Sequence, residues 1–330
     1  MKVLALSFGR KMKNCDILAK EALMGAEAAG AEVSFLNMMG KKITHCTGCG
    51  ACDKRRENGG PSRCVLNDDF PLVEELILDA DCLIVVAPVY VLAPTGQYKN
   101  LCDRLGPSHD RAVMFDVNNQ RIAEGKTGDQ LLDPRLFKDR YVGFISVGGA
   151  TTEHWTSLGL PSMHLLTFSM QMTVVDQYNA YRMGERVHPC FDPELIKRAN
   201  QMGKNVVSAY GKKREDIAWM GDDDGVCPLC HNKLLTINGT TTVECPICGM
   251  NGKLSIVNGD KIKVDFPPEQ IELSRLRLGG VQDHHEELSA IMKGVYAKLA
   301  TDGHRIGELV AKYKDYAAID EKSVKSRIRG

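Results

Sequence analysis

A chain of 330 residues, 43% hydrophobic and 25% charged, can bury one sizeable core and still carry small appended modules. Lys plus Arg and Asp plus Glu both number 42, a balance that excludes any global attraction to nucleic acid or to an anionic membrane surface. The opening residues MKVLALSFGR hold no long apolar segment and no small-residue cleavage site, so neither secretion nor a membrane span is expected.

Five apolar, β-branched-rich runs read as strands in chain order: 2–8, 32–38, 82–90, 141–147 and 172–178. Between the first two, residues 14–29 show helical spacing through Ile17, Leu18 and Leu23 and stop at Gly30. Residues 69–80 repeat the pattern with Leu72, Leu76 and Ile77. Strands alternating with helices predict a parallel sheet, because a parallel connection needs a crossover of about a dozen residues or more. The predicted fold is α/β, a doubly wound five-stranded parallel sheet in the flavodoxin-like order 2-1-3-4-5, closed by a helix over 193–213. Residues 105–140 read as a long polar connection, of the kind that often serves as a lid.

Past Asp222-Asp223-Asp224-Gly225 the character changes to two cysteine pairs on short strand-like segments, and beyond Phe266-Pro267-Pro268 residues 271–300 and 304–318 read as amphipathic helices. The predicted organisation is therefore a sheet domain over 1–218, a small metal-ribbon module over 219–265 and a helical segment over 266–330.

Twelve cysteines are many for an intracellular chain, and eight fall into two groups spaced as metal ligands rather than disulfide partners. A reducing, cytoplasmic setting follows. The first group is Cys46, Cys49 and Cys52, with Cys64 after a Gly/Pro-containing stretch. Three thiolates at intervals of three can wrap one face of a cubane while a distant fourth closes it, the spacing of a 4Fe-4S cluster. Structural zinc and free redox thiols are the alternatives. The second group is Cys227 and Cys230 with Cys245 and Cys248, two Cys-Pro-x-Cys knuckles around Asn238-Gly239. Two such pairs make a tetrahedral thiolate site whose commonest occupant is Zn²⁺, with rubredoxin-type iron as the rival.

In a doubly wound sheet the ligand lies beyond the carboxyl ends of the strands at the switch point, where three loops should meet. The first is Ser7-Phe8-Gly9-Arg10-Lys11-Met12-Lys13-Asn14-Cys15, whose backbone, helix start and basic side chains suit a phosphate. It has neither a Walker ending nor a dinucleotide Gly-x-Gly-x-x-Gly. The second is Ala87-Pro88-Val89-Tyr90, where Tyr90 offers a flat apolar face with a polar tip. The third is Ser146-Val147-Gly148-Gly149-Ala150-Thr151, whose glycines let backbone approach a flat ligand.

These loops resemble the NADPH-dependent FMN reductases, and in particular the iron–sulfur flavoproteins, over roughly residues 2–178. Arg10, Asn14 and Leu18 match the family's first loop, while Phe8, Lys13 and Cys15 stand where Ser, Gly and Thr are usual. Pro88 and Tyr90 match its Pro-x-Tyr segment, and Lys99 with Asp103-Arg104 its Lys-x-x-x-Asp-Arg. The family carries a compact cysteine group after the second strand followed by an acidic pair, as in Asp68-Asp69, although the gap from Cys52 to Cys64 is longer here. The resemblance implies FMN held by Ser7, Arg10, Lys13, Asn14, Cys15, Pro88, Val89, Tyr90, Ser146, Gly148 and Gly149. It also implies an oxidoreductase taking electrons from NAD(P)H for a small acceptor and assembled as a homo-oligomer, while a cluster could instead accept electrons from a ferredoxin-type donor; the balanced charge and the lack of a long apolar segment predict no nucleic acid or membrane partner. A flavin and iron–sulfur electron carrier or redox sensor is the alternative. His154, Trp155 and His164 are candidates to line the flavin pocket, with core or surface placement the plainer expectation. His284-His285-Glu286-Glu287 lacks the spacing of a helical metal site and reads as a solvated face.

Overall fold

The computed structural model describes residues 1–314, 316–319, 321, 324 and 325, so parts of the helical segment expected over 266–330 lie outside the described residues. It divides into two compact units, Met1–Gln282 and Asp283–Gly330. The first unit begins with β1 (Lys2–Ser7), α1 (Asn14–Ala28), β2 (Glu32–Asn37), α2 (Ala51–Glu57), α3 (Phe70–Asp79) and β3 (Cys82–Tyr90). It continues with β4 (Ala93–Pro94), α4 (Gly96–His109), α5 (Arg111–Ala123), β5 (Tyr141–Val147), α6 (Gly159–Met163), β6 (Thr173–Ala180), α7 (Met183–Arg186) and α8 (Pro193–Ala209). The main sheet runs β2-β1-β3-β5-β6, all parallel, with the two-residue β4 folded back on β3. This is the doubly wound order that the five apolar runs predict.

Side chains alternate across the sheet with period two. Leu4, Leu6, Leu83, Val85 and Ala87 pack with α3 and α4, whereas Val3, Ala5, Cys82, Ile84 and Val86 pack with α1 and α8. The second layer is unusually close. A Cβ on Gly25 would lie 1.9 Å from the Asn200 carbonyl oxygen and one on Gly203 1.8 Å from that of Ala22, so glycine at both positions lets α1 and α8 cross backbone to backbone. Cys15, Cys82 and Cys102 are buried, and burial pushes each thiol up to about 12; they behave as small apolar groups, apart from the two quartets.

Residues 105–140 correct the sequence reading. Instead of a long polar loop they form the end of α4, all of α5 and two short 3₁₀ turns. The polarity that suggests a loop is structural. Asp110 caps α5 by accepting from the Ala112 and Val113 amides at 3.1 and 3.2 Å. The buried Arg121 donates to the carbonyls of Arg56 and Gly60, both at 2.9 Å, and so pins the segment between the first-group cysteines.

A second sheet, antiparallel in the order β10-β9-β8-β7, is formed by β7 (Thr236–Ile237), β8 (Thr242–Glu244), β9 (Asn251–Val257) and β10 (Lys261–Asp265). Further on come α9 (Leu278–Asp302) and α10 (Ile306–Ala311), the latter shorter than the helix expected over 304–318. Leu288, Ile291, Met292, Val295 and Leu299 are exposed at helical spacing on α9. His284 bonds Glu287 on the same exposed turn, consistent with a solvated face. No helix among the described residues is long and apolar enough to cross a membrane.

Candidate functional site

At the carboxyl ends of β1, β3 and β5 the three expected loops meet around an open cleft of about 260 Å³. Arg10, Lys13, Asn14 and Cys15 line one end, Pro88, Val89 and Tyr90 a wall, and Gly148 and Gly149 the opposite wall. Gly9 and Val147, from the first and third loops, complete the lining together with Met183 and Gly184, which the sequence does not single out. Ser7 and Ser146 lie behind it. Both are fully buried, and the Ser7 hydroxyl donates to Asp16 Oδ1 at 2.6 Å.

Asp16 is the residue that sequence reasoning overlooks. Buried in the first turn of α1, it accepts from the Ser7 hydroxyl, from Asn37 Nδ2 at 2.6 Å and from the Met12 amide at 2.7 Å, while Asn37 also donates to the Gly9 carbonyl at 3.0 Å. This network sets the path of the 8–13 loop. No side chain caps the start of α1, so its first-turn amides point into the cleft end together with Arg10 and Lys13, an arrangement suited to a dianion. Cys15, with its thiol held neutral, can offer that ligand only a weak S–H donor where a hydroxyl would be stronger. At Gly148 a Cβ would lie 2.4 Å from Thr156 Cγ2, so only glycine allows the backbone to sit at this wall.

The rim beside Tyr90 carries strain. Tyr90 pairs with Ala93, leaving Val91 and Leu92 as a two-residue hairpin turn with φ of 52° and 72°. Such turns favour Asn-Gly, and a β-branched residue in the left-handed region is costly. Val91 is nonetheless 96% exposed and Tyr90 54% exposed. The turn holds an apolar edge outward into solvent beside Tyr90.

The two cysteine quartets differ. Cys227, Cys230, Cys245 and Cys248 are all buried, with Sγ atoms within 4.8 Å of one another, and they are the only group of three or more ligand-type side chains so gathered among the described residues. Cys227 and Cys248 stand at 3.3 Å and Cys230 and Cys245 at 3.4 Å. Four thiolates this close cannot all be ionised unless a cation neutralises them. Asn232 supports the knuckle, its Nδ2 lying 3.7 Å from Cys245 Sγ.

Cys46, Cys49, Cys52 and Cys64 are exposed or half-buried and do not converge to that distance. A mononuclear ion would require convergence, whereas a cubane spaces its cysteine sulfurs more widely. The base of this loop is firmly held. Arg104, fully buried, donates to both carboxylate oxygens of Asp68 at 2.7 and 3.2 Å and to the Thr44 carbonyl at 3.1 Å, and lies over the Phe70 ring at 4.5 Å. Burial opposes ionisation of Asp68, but Arg104 and the amides of Thr44 and Phe70 outweigh it and hold the carboxyl well below the usual range. Arg104 also stands beside Cys64. Lys99 pairs with Asp103 on the exposed side of the same helix.

His154, Trp155 and His164 do not line the cleft: His164 is buried elsewhere, while His154 and Trp155 are surface groups.

Comparison with known proteins places these features in context. A family described as NADPH-dependent FMN reductase matches residues 1–184. The flavone synthase cfoJ of Aspergillus candidus is 26% identical over 297 residues, covering 87% of this chain and 88% of that protein. An iron–sulfur flavoprotein of Archaeoglobus fulgidus is 35% identical over 105 residues, covering 32% of this chain and 45% of that protein. A solved structure of a flavone reductase superposes with a TM-score of 0.78 at 26% identity, over 97% of this chain and 99% of that one.

Proposed function

Because the chain belongs to the NADPH-dependent FMN reductase family of flavodoxin-like oxidoreductases, we propose that it binds FMN in the cleft between Arg10 and Gly149 and reduces a small aromatic acceptor at the expense of NAD(P)H. The observation that carries this reading is the single lining that joins the uncapped α1 start, Arg10 and Lys13 to the Tyr90 and Gly148 walls. FMN, when bound, supplies a centre that takes two electrons from a donor and returns them to an acceptor. Arg10, Lys13 and the α1 amides would hold its phosphate, Pro88 to Tyr90 would bound its ring, and Gly148 and Gly149 would admit the ring against bare backbone. A ring-shaped acceptor is favoured by the near full-length likeness to a flavone synthase and a flavone reductase, together with the apolar rim of Tyr90, Val91 and Leu92.

The first quartet is read as the seat of a 4Fe-4S cluster, supported by its spacing and its wide set. The second is read as structural zinc, supported by four buried, converging thiols in knuckles. Residues 219–265 are accordingly kept as a ribbon module. The exposed apolar stripe on α9 supports assembly with further copies of the chain.

Anaerobic purification followed by flavin, iron, sulfide and zinc analysis tests the set. One FMN and one zinc per chain are expected, with four irons and four sulfides, and NADPH should bleach the flavin absorbance under anaerobic conditions. Flavin without iron or sulfide removes the cluster and leaves free thiols; bleaching by reduced ferredoxin alone removes the nicotinamide donor.

A further inference from the structure

The 25-residue helix α9 buries none of its residues, and from Glu286 to Asp302 every residue is exposed. A helix of that kind is marginal in water unless one face packs against something. Gly294 and the β-branched Ile291 and Val295 lower its intrinsic stability further. The helix needs a cover.

Spacing defines the face to be covered. At about 100° per residue, Leu288, Met292, Val295 and Leu299 fall in one stripe, with Ile291 and Tyr296 on its two edges. Each of the six is between 39% and 64% exposed. The opposite face has Ala290, Gly294 and Ala297 and no large apolar side chain, so α9 has a single apolar side and suits a single partner helix. Two such stripes facing each other bury on the order of 1,000 Å², the size at which specific interfaces begin.

Charge sets the orientation. From Leu278 to Met292 the helix carries Asp283, Glu286 and Glu287 and no lysine or arginine, whereas beyond Met292 it carries Lys293 and Lys298 against Asp302 alone. A helix acidic in its first half and basic in its second complements its own copy only when that copy runs the other way. A two-fold axis across the stripe then lays each acidic half on the other's basic half. With Leu288 opposite Leu299 of the second copy and Met292 opposite its Val295, Glu287 comes within two residues' rise, about 3 Å along the axis, of Lys298 of that copy. Both lie on the same side of the seam, and the two-fold repeats the pair. A parallel arrangement sets the acidic halves side by side and leaves Glu287 and Lys298 on opposite sides. The formal charge of the whole chain is zero, so no net repulsion opposes self-association.

We propose that α9 pairs with α9 of a second copy of the chain as an antiparallel two-helix seam, its apolar stripe inside and two Glu287–Lys298 pairs at its margin. This rests on the reading that the chain assembles with further copies, and it names the surface and the orientation. Neither flavin nor cluster is needed for it.

The test is sedimentation velocity of the full chain with its metal in place, over roughly 1 to 100 μM, where a pairing driven by mass action shows its concentration dependence. A monomer–dimer equilibrium is expected. Val295→Glu, in the middle of the stripe, should leave a monomer whose sheet domain melts as before, since the side chain it replaces is exposed in the single chain. Glu287→Lys and Lys298→Glu should each weaken the dimer about tenfold, because the two-fold turns two attractive pairs repulsive at once. The double variant should recover the original affinity, and a mixture of the two single variants should form the mixed dimer in preference to either parent. Recovery singles out the antiparallel seam, as a parallel one never brings the two residues together. A dimer that survives Val295→Glu overturns the α9 seam while assembly itself stands; a monomer at every concentration overturns both. A dimer lost in Val295→Glu whose affinity the charge swap fails to recover overturns the orientation.

Discussion

A Cys245→Ser chain is expected to lose the metal of the second quartet and, with it, the folded state of β7 to β10. Of the seven buried residues that make up this small core, four are the cysteines themselves, with Ile247, Met250 and Leu276 the only others. Three buried apolar side chains, with the half-buried Phe168, Leu229, Phe266 and Ile271 around them, cannot offset the ordering entropy of a segment of this length. In such modules metal binding is the folding free energy, of the order of 10 kcal/mol for an all-thiolate zinc site. Serine keeps the size of the side chain and removes the soft ligand, so the effect isolates coordination. Zinc content should fall by at least tenfold, and amide exchange across 227–265 should rise towards the unfolded rate while β1, β3 and β5 stay protected. A variant that keeps its zinc, or a ribbon that stays protected after chelation, would contradict the assignment.

The second large effect is expected at Arg104. Arg104→Met preserves the apolar stem and removes the charge, leaving Asp68 buried beside Phe70 with no counter-ion. Breaking one side of a buried pair typically costs about 3–5 kcal/mol, mostly as the penalty of the stranded partner. Asp68 also accepts from Thr44 and from the Phe70 amide, so its displacement frees both ends of the loop that bears the first quartet. The melting temperature should fall by roughly 10 °C on the usual scaling. The double variant with Asp68→Asn should recover part of the loss, because the stranded charge is then gone. If Arg104→Met alone costs less than about 1 kcal/mol, the pair is not the anchor described.

The parts of this molecule that repeat on a short period are legible in its sequence. The five strands announce themselves as apolar runs because β1, β3 and β5 are covered on both faces, and a strand buried on both faces has no polar alternation to blur it. The three loops of the cleft follow from strand order, since a doubly wound sheet brings those carboxyl ends together whatever their composition. The cysteine knuckles are visible because coordination fixes their spacing locally.

What escapes is held by long-range partners. Arg111 and Arg121 make α5 look like surface loop, yet Arg121 donates to carbonyls at Arg56 and Gly60, more than sixty positions away. Asp16 reads as an ordinary first-turn acid until Asn37 arrives from β2. Val91 and Leu92 carry no turn signal, because their left-handed conformation departs from the residue preferences on which such signals rest. His164, plausible beforehand as a flavin neighbour, is instead buried edge-on against Phe144 with its Nε2 on Gln177 Oε1.

The cleft is expected to select FMN through its phosphate, and paired titrations of the flavin-free chain with FMN and with riboflavin test this most directly. The two ligands share the ring and ribityl chain and differ only in the group assigned to Arg10, Lys13 and the start of α1. FMN should bind at least a hundredfold more tightly than riboflavin, as charge-assisted contacts to a dianion require, and the Arg10→Ala/Lys13→Ala chain should lose most of that preference while binding riboflavin as before. Equal affinity for the two flavins, or a preference that survives the double substitution, would contradict the account.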